Sequence, residues 1–75
     1  MLKVTNIKKE NNFIKCIITG DDYSMSFEVS VNNWNNMRFS EQYYKIDACH
    51  VRNKLKSLYF ENNGKLPKEF TLIFG

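Results

Sequence analysis

The sequence predicts an α+β domain: a three-stranded antiparallel meander, one helix packed on one face of it, and a fourth strand at the C-terminus. Three observations carry this expectation. Tyr23 to Val31 alternates apolar and polar residues, the period-two mark of a half-buried strand. Tyr44, Ala48, Val51, Leu55 and Leu58 recur at spacings of four, three, four and three, which lines them along one helical face. After that helix, Asn62-Asn63-Gly64 and Pro67 stop it, and Glu69 to Phe74 returns to strand-forming residues.

The elements follow in chain order. Leu2 to Ile7 reads as a first strand, with Lys9-Glu10-Asn11-Asn12 as its turn. Phe13 to Thr19 is rich in β-branched and aromatic residues, with Ile14, Cys16 and Ile18 on one face and Phe13, Lys15 and Ile17 on the other. Gly20-Asp21-Asp22 is short enough to join it to Tyr23–Val31 as an antiparallel hairpin. In that third strand Tyr23, Met25, Phe27, Val29 and Val31 face the core, and Ser24, Ser26, Glu28 and Ser30 face water. Asn32-Asn33-Trp34-Asn35-Asn36 breaks the alternation and reads as a loop.

Two helix starts compete. Ser40 offers an N-cap with Phe39 and Tyr44 as a hydrophobic staple, and Asp47 offers one with Ile46 and Val51. The later start would leave a very long loop from Asn32 to Ile46, and the earlier one leaves Ile46 on the polar face. If the helix runs back across the sheet, the last strand lies parallel to the first and beside it, in the order 4-1-2-3.

Composition sets the outer limits. Seventy-five residues make one domain, and a chain of this size hides only about 60% of the surface it exposes when unfolded. With 43% hydrophobic and 25% charged residues it belongs with globular chains rather than disordered ones. Apolar runs such as Cys16-Ile17-Ile18 fall far short of the ~20 residues that span a bilayer. Lys8, Lys9 and Glu10 stand where a secretory signal would need an apolar core, so a cytoplasmic protein is expected, with no membrane partner. Its two cysteines, Cys16 and Cys49, are expected as free thiols.

Val4-Thr5-Asn6-Ile7-Lys8, Phe13-Ile14-Lys15-Cys16 and Leu66-Pro67-Lys68-Glu69-Phe70-Thr71-Leu72-Ile73 are short motifs of a likeness that covers most of the chain outside Asn32 to Tyr43. In these segments the sequence resembles small uncharacterised phage and prophage proteins of low-GC Gram-positive bacteria. The resemblance implies a mobile-element setting and no catalytic activity.

The residues that could carry chemistry are few. Cys49 and His50 are adjacent, and neighbours on a helix point about 100° apart, so they do not form a nucleophile–base pair. Lys45, Arg52 and Lys56 surround Cys49 at helical spacing and would favour its thiolate, against the plainer reading of an inert thiol at the core boundary. Cys16, Cys49 and His50 lack the spacing of a metal site, and the isolated glycines cradle no phosphate, so no metal, no cofactor and no catalytic residue is expected.

What remains is binding. Trp34, Met37 and Phe39 sit in an Asn-rich stretch, either folded over the end of the core or presented to a partner. Phe13 and Ile17 add an apolar strip on the sheet's outer face, fit for another protein or a second copy. The rival is nucleic acid, held by a basic stripe of Lys45, Arg52 and Lys56 with Lys54 on the opposite flank, among the chain's net charge of +3. The expectation from sequence is thus a non-catalytic interaction module that binds a protein partner, with nucleic-acid binding as the alternative.

Overall fold

A computed structural model describes residues 1–73 of the chain. The elements run β1 (Leu2–Glu10), β2 (Phe13–Thr19), β3 (Ser24–Ser30), β4 (Met37–Phe39), a 3-10 turn (Gln42–Tyr44), α1 (Lys45–Glu61) and β5 (Phe70–Leu72). Among the described residues five strands form one antiparallel sheet in the order β4-β3-β2-β1-β5. The α+β class and the β1-β2-β3 meander match the sequence expectation. The strand count and the complete order do not, because β4 lies where a loop was expected. Phe74, the expected end of the last strand, lies outside the described residues.

That short strand also reverses the direction of the last one. β5 pairs with β1, as the expected order has it, but antiparallel, with Leu2 opposite Leu72 and Val4 opposite Phe70. The reason is parity. β4 runs opposite to β3, adding one reversal to the chain. α1 then starts beside the β2–β3 turn, where Tyr44 stacks on Tyr23, and ends beside the β3–β4 loop, where Tyr59 and Phe60 meet Trp34. It therefore runs with β3, and the next reversal brings β5 in against β1. Without β4 the same connections would make the pair parallel.

The inward face of the sheet holds Leu2, Val4 and Ile7 from β1, Ile14, Cys16 and Ile18 from β2, and Met25, Phe27 and Val29 from β3. Against it α1 buries Ala48, Val51 and Leu55, each fully enclosed. Strict alternation would turn Asn6, not Ile7, inward. A bulge corrects this: Thr5 pairs with Ile17 and Lys8 with Lys15, so Asn6 and Ile7 together oppose Cys16. Asn6 takes φ 56°, a left-handed conformation that Asn tolerates better than most residues. The edge is then sealed by the Ile7 N–H donating to the Lys68 carbonyl at 3.1 Å.

The helix begins at neither expected cap. Gln42–Tyr44 forms a 3-10 turn and α1 starts at Lys45, with Tyr44 at the N-cap position and no side-chain cap. Ser40 is used by the sheet instead: its Oγ accepts from the Ser26 N–H at 3.2 Å, and its own N–H donates to the Ser26 carbonyl at 3.2 Å. Asp47 is used by Tyr23. At the other end the expected stop is found. Asn62 closes on the Leu58 carbonyl through backbone and side chain, and Asn63 and Gly64 turn with φ of 54° and 86°.

Candidate interaction surfaces

Only one face of the sheet is covered by α1. On the other, outward-pointing residues form cross-strand rows. Lys8, Lys15, Glu28 and Arg38 stand directly opposite one another across β1, β2, β3 and β4. Glu10 lies 3.6 Å from both the Lys8 and the Lys15 ammonium groups. The next row is lower: Thr5, Ile17 and Ser26 are opposed across β1 to β3. Because Ser26 is small while Lys15 and Arg38 are long, the surface dips, forming an open groove of about 580 Å³. Asn6, Ile17, Ser26 and Ser40 line it beside Lys8, Lys15, Glu28 and Arg38. A half-buried Ile17 thus lies in the groove beneath a rim of three cations and Glu28.

The five residues expected to bind a partner do not share one surface. Ile17 and Phe13 are half-buried on the uncovered face, as expected. Met37 and Phe39 are instead part of β4, opposite Val29 and Phe27, and pack against the core. Trp34 closes the end of the core, its ring edge-on to Tyr59 at 5.8 Å and tilted against Phe60 at 6.0 Å. The loop that carries it is pinned to the sheet. Ser30, expected to face water, is buried because its Oγ accepts from the Asn32 N–H at 3.1 Å and its N–H donates to the Asn36 carbonyl at 3.0 Å.

The basic stripe on α1 is also divided. Lys45 and Lys56 are exposed, and so is Lys54 on the other flank. Arg52 is half-buried and turned toward the loop, its Nη1 donating to the Trp34 carbonyl at 3.4 Å and to Asn35 Oδ1 at 3.3 Å. Its Nε donates to Asn53 Oδ1 at 2.9 Å. A guanidinium so engaged fastens the loop to the helix rather than waiting for a phosphate.

One cluster escaped the sequence reading. Where α1 begins, the Tyr23 and Tyr44 rings stack with centroids 3.6 Å apart. Tyr23 donates to Asp47 Oδ2 at 2.6 Å, and Tyr44 donates to Asp22 Oδ1 at 3.2 Å. Desolvation raises the Tyr23 pKa above the ordinary phenol value, and the hydrogen bond and charge of Asp47 add to it. Tyr44 moves the same way, from desolvation and then Asp22. Both phenols therefore stay protonated and act as donors that lock the helix start to the β2–β3 turn. Gly20 makes room for this, since a Cβ there would collide with the Tyr23 ring. The only signal in the sequence was the glycine preceding the aspartates.

The thiols are unpaired with each other. Cys16 lies in the core, where burial pushes its pKa up to about 12, which makes it an unreactive side chain. Cys49 is half-buried on α1, beside the exposed His50. Among the described residues no group of three or more His, Cys, Asp or Glu could hold a metal ion. Likewise no described helix is long and apolar enough to cross a membrane. No family model, curated protein or solved structure matches the chain.

Proposed function

We propose that this chain is a non-catalytic interaction module that binds a protein partner on the uncovered face of its sheet. One observation carries the reading: the groove above Ile17 and Ser26, rimmed by Lys8, Lys15 and Arg38, lies on the face that α1 leaves open. An antiparallel sheet commonly keeps one face in water, but this face offers a half-buried Ile17 and charges that can select a partner. Lys8, Lys15 and Arg38 against Glu10 and Glu28 leave a small positive excess, which favours acidic groups on the partner's matching segment.

A photo-crosslinking residue at position 17, in protein expressed in the native host, tests this. The expected result is one protein adduct, lost when Lys15 and Arg38 are changed to Glu, with none from the same crosslinker at position 54. An adduct to nucleic acid, or equal protein adducts from both positions, would overturn the reading. The nucleic-acid alternative rests on Lys45 and Lys56 without Arg52, and no contact in the structure favours it over the groove.

A further inference from the structure

Beyond the sheet face, we propose that the chain pairs with a second copy of itself through the solvent side of α1, as an antiparallel two-fold helix pair.

The seam is legible along the helix. Tyr43, in the turn leading into α1, is followed by Ile46, His50, Asn53, Ser57 and Phe60 at spacings of three, four, three, four and three. This is the a/d repeat of a coiled coil, and it lies opposite the face that buries Ala48, Val51 and Leu55. Every Asp, Glu, Lys and Arg of α1 falls off this line. A merely solvated helix face would carry its charges there. Instead the line holds three of the most exposed large apolar side chains: Tyr43 at 90%, Ile46 at 74% and Phe60 at 62%.

The order of the seam selects the partner. Its spacings read the same in both directions, so a copy laid antiparallel meets it layer for layer. Tyr43 then faces Phe60 of the second copy, Ile46 faces Ser57, and His50 faces Asn53, each twice by symmetry. That is the self-complementarity a two-fold interface requires. The flanking residues do not oppose this. In antiparallel pairs residues on the same flank meet, which brings Cys49 toward Lys56 on one side, while on the other Lys54 is exposed and Asp47 stays bonded to Tyr23, so no like charges are opposed. The polar central layers fix the register while weakening the pair. With three polar residues among the six on the line, the contact is small and mixed, so the pair should be weak and its population should depend on concentration. The pair would leave both sheet grooves facing outward.

Sedimentation equilibrium of the purified chain up to about 1 mM tests this across the affinity range of weak pairs. The expected result is a monomer–dimer equilibrium weakened at least about tenfold by Ile46→Glu with Phe60→Glu, at an unchanged circular dichroism spectrum. Ile17→Asp on the sheet face should leave it intact. A chain still monomeric at the highest concentration would overturn the proposal, as would a dimer lost with Ile17→Asp and kept with the helix variants. Orientation is read separately in a Cys49→Ser background. Mixing Tyr43→Cys and Phe60→Cys chains under mild oxidation should give mainly the mixed disulfide, and preferential Tyr43→Cys self-pairing would overturn the antiparallel arrangement.

Discussion

The two faces of the sheet are built from the same strands and obey different rules. Inward, Ile14, Cys16, Ile18, Met25, Phe27 and Val29 are all enclosed beneath α1. Outward, the same strands carry Lys15, Ile17, Ser26 and Glu28, with a groove among them. The buried face is constrained by volume, since removing a methylene there leaves a cavity that the packed neighbours cannot fill. The open face is constrained by little in the fold itself, so its composition is free to answer to a partner. Stability should therefore reside on one side and recognition on the other.

The largest expected effect tests that division directly. Phe27→Ala should cost about 3–5 kcal/mol, whereas Ile17→Ala, one strand away and half-buried on the other face, should cost about 1 kcal/mol or less. Denaturant melts of both variants measure this, and equal losses would break the comparison. Next comes Arg52→Ala. It removes the bonds to the Trp34 carbonyl and Asn35 and should cost about 1 kcal/mol, read in the same melts. Faster amide exchange confined to residues 32–36 would assign that loss to the loop.

A smaller effect concerns alkaline pH. The pKa of Cys16 is raised from 9.0 to about 12 in the fold. The native state thus holds a proton that the unfolded chain releases. Stability from this source is complete below the unfolded value and is lost as pH rises toward the folded one. The chain should weaken between about pH 9 and pH 12, and Cys16→Ala, though less stable overall, should show a shallower decline. Tyr23, also raised, adds to the wild-type decline above its ordinary value of 10.0. An equal slope in both proteins would remove Cys16 from the account. The smallest effect is none: with both thiols free, excess reductant should leave the melting temperature unchanged.

The division between faces was legible in the sequence because period-two alternation is a local signal, and β2 was read to its observed bounds. What escaped depends on contacts between distant residues. β4 has three residues after an Asn-rich loop, too few to show a period, and its omission reversed the expected direction of β5. Ser40 and Asp47 both look like helix caps, yet their oxygens are taken by Ser26 and Tyr23 from β3 and the turn before it. Arg52 read as part of a basic stripe because helical spacing cannot reveal a loop folding back to meet it. Of the candidate site, alternation within β2 places Phe13, Lys15 and Ile17 on the outer face, but Lys8 and Arg38 come from β1 and β4, whose register with β2 and β3 no single segment encodes.

The sheet's two borders have a bearing on how the chain behaves when crowded. An unpaired strand edge is a template on which further chains can add, the first step toward fibres. Here β4 and β5, with three residues each, occupy both borders and offer few free rungs. Beyond β4, the Ser26 backbone is satisfied by Ser40. Beyond β5, the exposed end of β1 is Lys8-Lys9-Glu10, and its lysines would repel a like strand approaching in register. A domain so small can thus leave one sheet face open without inviting edge-to-edge polymerisation of its own copies.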